Sequence, residues 1–139
     1  KIQKKDFSIE KEINDFKLNY VNTGAVSSFI GYVRDINNNK KVKSIFIEVY
    51  YKMALEKLKI IINNEKKNNK IFDCLIIHRY GKLYAGEKIV MVTTLAKNRK
   101  YSFLSCQLIM DYLKKDAPFW KKEIYKNDFK WLENIRSKN

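Results

Sequence analysis

Apolar positions along this chain follow two periods, and the changes between them predict its elements. The run Lys88–Ala96, KIVMVTTLA, is nearly continuous in apolar and β-branched residues and reads as a buried strand. Ile71–Arg79, IFDCLIIHR, reads the same way. Val42–Tyr50 sets Val42, Ser44 and Phe46 against Lys43, Ile45 and Ile47, the two-residue period of a strand. Thr23–Arg34, TGAVSSFIGYVR, is a further strand in which Gly24 and Gly31 mark a bulge or a close backbone approach. Helical spacing appears in Lys52–Lys67, through Met53, Leu55, Leu58, Ile61 and Ile62. It returns in Arg99–Lys115, where Phe103, Cys106, Met110 and Lys114 form one stripe with Leu104, Leu108 and Leu113 beside it. Most of that face is expected to be core.

The remaining segments are shorter. Asp6–Leu18 gives a short N-terminal strand and then a helix capped by Ser8. Asp35–Lys41, DINNNKK, reads as a mobile polar loop, and Asn63–Lys70 as a polar turn closing its helix. Gly81 and Gly86 punctuate a hairpin-like stretch. Ala117–Tyr125 is a last strand, and Phe129–Arg136 a tail packed through Trp131. From Thr23 onward the order is strand, strand, helix, strand, strand, helix, strand. That predicts an α+β fold, two main helices against a mixed or antiparallel sheet. Its long aromatic strands favour a dimer.

Composition narrows this. The 139 residues predict a single domain spanning 1–139, and 45% hydrophobic with 14% aromatic residues argue for a packed core. No run of about 18 apolar residues predicts a membrane span. Lys1–Asp6 lacks the apolar region of a secretory leader, so a cytoplasmic protein is expected. Cys74 and Cys106 have no metal-ligand spacing and read as reduced, buried thiols. With a single histidine they cannot build a standard zinc site. The formal charge of +14 raises a nucleic-acid reading. Against it, arginine occupies only four of the 29 basic positions, Arg34, Arg79, Arg99 and Arg136, with no arginine-rich tract. A permanent bidentate cation placed so sparingly directs attention to those positions.

The densest chemistry lies in Met110–Glu123, MDYLKKDAPFWKKE. It leaves the second helix, crosses the only proline, Pro118, and carries Lys114 and Lys121 on either side of it. A helix end followed by a fixed X-Pro step directs the next residues. Lys114 has two readings: a cation placed by the helix dipole, or one half of an anion-binding pair. Lys121 is a solvated strand residue or the other half. His78, beside Arg79 at a strand end, reads as structural, Arg79 as a brace for the turn, and Cys106 as packing.

MDYLKKDAPFWKKE, IHRYGKLYAGE and GAVSSFIGYVRD, in that family's order, resemble the large, catalytic subunit of molybdopterin synthase from about Asp6 to Trp131. The resemblance implies an α+β fold with a hammerhead-like part and a central dimer carrying a small subunit at each end. It implies a sulfurtransferase of molybdenum cofactor biosynthesis, which builds the dithiolene of molybdopterin on precursor Z, a cyclic pyranopterin monophosphate. The sulfur comes from the C-terminal thiocarboxylate of a small ubiquitin-like partner ending in Gly-Gly, whose tail enters the large subunit. No metal or cofactor is implied. Carried over by motif, Lys114 matches the lysine nearest the partner's last glycine and Lys121 a second active-site lysine. Arg34 matches an arginine lining the pocket, and Phe29 and Met110 its apolar wall. Arg99 matches an arginine given to the other protomer's site, and Arg136 a tail arginine of the substrate pocket. The family's His-Arg pair before the second helix is here Asn98-Arg99, and asparagine cannot shuttle a proton. Two other classes remain open: a basic nucleic-acid-binding domain, and a non-catalytic binder of a ubiquitin-like protein.

Overall fold

Two four-stranded sheets, rather than one, organise the chain. The computed structural model describes residues 1–68, 70–126 and 128–132. In chain order the elements are β1 (Ile2–Gln3), α1 (Ile9–Lys17), β2 (Ala25–Tyr32), β3 (Ile36–Asn37), β4 (Lys40–Lys41), β5 (Ser44–Val49), α2 (Tyr51–Lys67), β6 (Asp73–Arg79), β7 (Gly81–Tyr84), β8 (Lys88–Ala96), α3 (Arg99–Lys115), β9 (Phe119–Ile124) and β10 (Phe129–Leu132). The first sheet runs β1-β6-β8-β2 and is mixed, because β1 lies parallel to β6. The second runs β10-β9-β5-β7 and is antiparallel throughout.

The first sheet is covered on both faces, which is why β8 reads as a nearly continuous run of apolar and β-branched residues. Met91 and Ile77 meet Phe7, Ile9 and Ile13 on the α1 side. Val90, Val92 and Ile76 join the main core with Leu58 of α2 and Ile109 of α3. Ser8 caps α1 by accepting from Lys11 N, as its sequence signature requires. The glycine signals in and just before β2 are both physical. The register slips between Gly31 and Tyr32, and a Cβ on Gly24 would sit 2.0 Å from the carbonyl oxygen of Lys97.

Four sequence expectations change. Gly81, at φ +86°, turns the chain out of the first sheet, so β7 pairs with β5 and forms no hairpin with β8. The stretch Asp35–Lys41 is not a structureless loop. It folds into the hairpin β3–β4, whose tip places Asn38 and Asn39 at φ 50° and 63°, the left-handed region that asparagine tolerates. Ser44 is buried together with its strand neighbours Ile45 and Ile47, so β5 does not show the alternation of exposure its sequence implies. Finally, α3 buries Ser102, Ser105, Cys106, Ile109 and Leu113, while Phe103, Leu104 and Leu108 are exposed. The small serines allow close approach and are satisfied there: Ser102 Oγ donates to Ser27 Oγ and Ser105 Oγ to Glu65 Oε1.

Candidate active site

The two lysines flanking Pro118 stand on different elements joined by a three-residue turn, Asp116–Pro118. Lys114 closes α3. Lys121 is the third residue of β9, a strand paired with β5 on one side and β10 on the other. The two-residue period of β9 turns Phe119, Lys121 and Glu123 inward. It turns Lys122 outward, where its ammonium lies 5.1–5.6 Å from the ring centroids of Phe46, Phe129 and Trp131.

Inward of β9 is a cavity of about 680 Å³ whose wall includes Phe29, Arg34, Met110, Lys114 and Lys121. Five of the seven candidate residues named from sequence thus line one space. A second groove, of about 710 Å³, runs between β2 and α3. Phe29, Met110 and Lys114 line both, so they form the ridge between the two. Arg99 does not reach this cavity. It begins α3, and fifteen residues of helix separate it from Lys114, about 22 Å along the axis. Arg136 lies outside the described residues.

The electrostatics distinguish the lysines. Burial holds the Lys121 ammonium below the ordinary lysine range, and the charge of Lys114 adds to that. Lys121 therefore gives up its proton more readily than an ordinary lysine. Lys114, exposed on the ridge, is the more accessible cation. Three further polar side chains on the wall were not among the candidates. Glu123 is only 5% exposed and accepts from Asn37 Nδ2 at 2.7 Å and from the Tyr125 hydroxyl at 2.8 Å. Asn37 itself lines the cavity, from the β3–β4 hairpin. His78 is buried, with its ring stacked 3.8 Å from that of Phe119 and its Nδ1 in a 2.8 Å hydrogen bond with the carbonyl oxygen of Arg79. Burial drives its pKa down to about 3, so it is neutral under physiological conditions. The period of β9 signals Glu123, since a residue two positions from Lys121 shares its face. Nothing local signals Asn37.

The residues read as structural behave so. Arg79 is buried and donates to the carbonyl oxygens of Lys4 and Lys88 and to Glu87, tying β6 to the start of β8. Cys74 and Cys106 are buried and unbridged, and burial raises both thiols. Asn98 has a definite task as the N-cap of α3, its Oδ1 accepting from Tyr101 N at 3.3 Å.

The family model described as MoaE protein matches residues 2–116. A molybdopterin synthase catalytic subunit from Ralstonia nicotianae is 38% identical over 133 residues, covering 96% of this chain and 76% of that one. The chain belongs to the family of molybdopterin synthase catalytic subunits. Its fold agrees with that family. The crystal structure of molybdopterin synthase from Staphylococcus aureus superposes with a TM-score of 0.87 at 27% identity, covering 95% of each chain. A Helicobacter pylori structure, a complex of subunits 1 and 2 of molybdopterin-converting factor, shares the fold at a TM-score of 0.81 and 18% identity, covering 96% of this chain and 89% of that one. Membership favours the enzymatic reading over a nucleic-acid-binding domain. Among the described residues no helix is long and apolar enough to cross a membrane.

Proposed function

We propose that this chain is the catalytic subunit of a cytoplasmic molybdopterin synthase. In this reading it transfers sulfur from the C-terminal thiocarboxylate of a small ubiquitin-like subunit to precursor Z. The observation that carries the reading is the convergence of Arg34, Lys114 and Lys121 on one cavity with an apolar wall of Phe29 and Met110. A cyclic phosphate and a thiocarboxylate are both anions, and these cations match them without any protein nucleophile. Arg34 takes the phosphate, for which a planar fork is suited. Lys114, on the ridge between the two spaces, meets the arriving thiocarboxylate. Lys121, held below the ordinary lysine range, exchanges protons as sulfur adds and the phosphate ring opens.

The second protomer has a place in this scheme. Val26, Phe29, Phe103 and Leu104 leave apolar surface exposed on β2 and α3. A dimer covering that surface brings Arg99, too distant for its own cavity, to a neighbour's. A small subunit at each end then completes a heterotetramer.

The test is reconstitution. The purified chain, a thiocarboxylated small subunit and precursor Z are mixed, and molybdopterin is quantified. Lys114→Ala is expected to lose nearly all turnover while its circular dichroism and oligomeric state stay as in the unaltered protein. No product from the unaltered chain, where a reference synthase works, sinks the function. Full activity of Lys114→Ala sinks the role given to that lysine.

A further inference from the structure

We propose that Asn37 is a positioning residue that aims Arg34 into the cavity while leaving its charge available to a phosphate. The proposal rests on the substrate reading above, and it names how the phosphate end of that substrate is held. The observation is a directional chain of hydrogen bonds. Arg34 Nη2 donates to Asn37 Oδ1 at 3.2 Å, and Asn37 Nδ2 donates to Glu123 Oε1 at 2.7 Å. The same carboxylate oxygen accepts from the Tyr125 hydroxyl at 2.8 Å. An ionised carboxylate can only accept, and a guanidinium can only donate. An amide between them has one permitted orientation, NH2 toward Glu123 and oxygen toward Arg34. The buried carboxylate thus fixes the amide, and the amide fixes the guanidinium.

The choice of asparagine has an electrostatic reason. A direct Arg34–Glu123 ion pair would orient the guanidinium equally well, but it would neutralise the charge the phosphate needs. The neutral amide separates the two charges while transmitting the geometry. The hairpin that carries Asn37 is held on its other strand too. Lys40 places its ammonium 5.5 Å from the centroid of the Tyr125 ring, on the residue that shares Glu123. At its base Val42 N donates to the carbonyl oxygen of Asp35 at 2.7 Å. Both strands of the hairpin therefore dock on the end of β9 that bears Glu123 and Tyr125.

Three variants separate orientation from charge. Asn37→Ala removes both hydrogen bonds. It is expected to raise KM for precursor Z by about tenfold, with kcat within about twofold, and to speed hydrogen exchange of the hairpin amides. Asn37→Asp sets a second carboxylate against Glu123 and should do the same. The double variant Asn37→Asp with Glu123→Gln rebuilds the chain with reversed polarity, the glutamine NH2 donating to the introduced carboxylate. Hairpin protection should return in it. KM should stay raised, because the introduced carboxylate now neutralises Arg34. Inorganic phosphate affinity of the protein alone, measured by titration calorimetry, should follow KM. That readout stands even if the chain makes no molybdopterin, an outcome that overturns the proposed function separately. An unchanged KM and phosphate affinity in Asn37→Ala overturns the positioning role. A double variant with native KM and phosphate affinity overturns the argument that the amide protects the charge.

Discussion

Acidification should weaken this protein through His78, and the effect of that one group can be sized against a variant that lacks it. The imidazole is held at about 3 against an ordinary 6.5, chiefly by burial. The folded state thus binds fewer protons than the unfolded state between those values. Stability therefore rises with pH through that window and falls as pH drops below 6.5. Between pH 7.5 and 5.5 the loss works out at about 1.4 kcal/mol, with about another 1.4 for each further unit until the folded-state value is approached. Carboxylates titrate mainly below that first interval, His78 is the only histidine, and the amino terminus, which burial also lowers from 8.0, contributes to both proteins. The comparison is His78→Phe, which keeps an aromatic ring against Phe119. Fitting a larger ring costs about 1–3 kcal/mol, but that cost does not depend on pH. Urea denaturation at pH 7.5, 6.5 and 5.5 should show the unaltered midpoint falling relative to that of the variant. A thermal scan should show the same divergence as about 5 °C in Tm. Any contribution from other groups is common to both proteins and cancels. Parallel stability-pH lines for the two would refute the reasoning, as would an imidazole resonance that titrates near 6.5.

Lys121 makes the corresponding prediction at the alkaline end. Its charged form is disfavoured in the fold, so stability should rise with pH between its lowered pKa and the ordinary lysine value of 10.5. Lys121→Met should abolish turnover, lose that rise, and equal or exceed the unaltered protein in urea midpoint at neutral pH; a markedly lower midpoint contradicts the burial argument. Asn98→His, which installs the family's usual residue, removes the cap of α3 and should cost about 1 kcal/mol of stability. Its turnover should match the unaltered chain, and a tenfold gain would show that this histidine supplies proton transfer here after all.

The sequence reads well where one physical cause acts alone. The span of α3 follows from its helical period, and the span of β8 from burial on both faces. Errors arise where a long-range partner decides. Val42–Tyr50 is a strand in either reading, but its pairing with β7 depends on the φ of Gly81, which leaves no apolar pattern. The Asn-rich stretch 36–41 resembles a loop by composition, yet its order comes from docking on Glu123 and Tyr125, more than 80 residues away. The stripe of α3 misled because Ser102 and Ser105 are on its buried face while Phe103, Leu104 and Leu108 are exposed. For the site, motif matching named seven residues, of which the cavity gathers Phe29, Arg34, Met110, Lys114 and Lys121, while Arg99 lies away from it and Arg136 outside the described residues. It did not reveal which lysine faces the cavity, because that depends on which face of β9 each one takes.

Lys121 and Lys122 are the same residue type side by side, and hydrogen-bond register alone assigns one to the cavity and the other to an outer aromatic cluster. The site should therefore tolerate changes in residue type around Asp116–Pro118 better than changes in chain length. Deleting a single residue in that turn would offer Lys122 where Lys121 belongs, and would send Glu123 to the outer face with it. Variation within the family should then run through substitutions at this turn rather than insertions or deletions. What is inherited at this site is a spacing as much as a set of side chains.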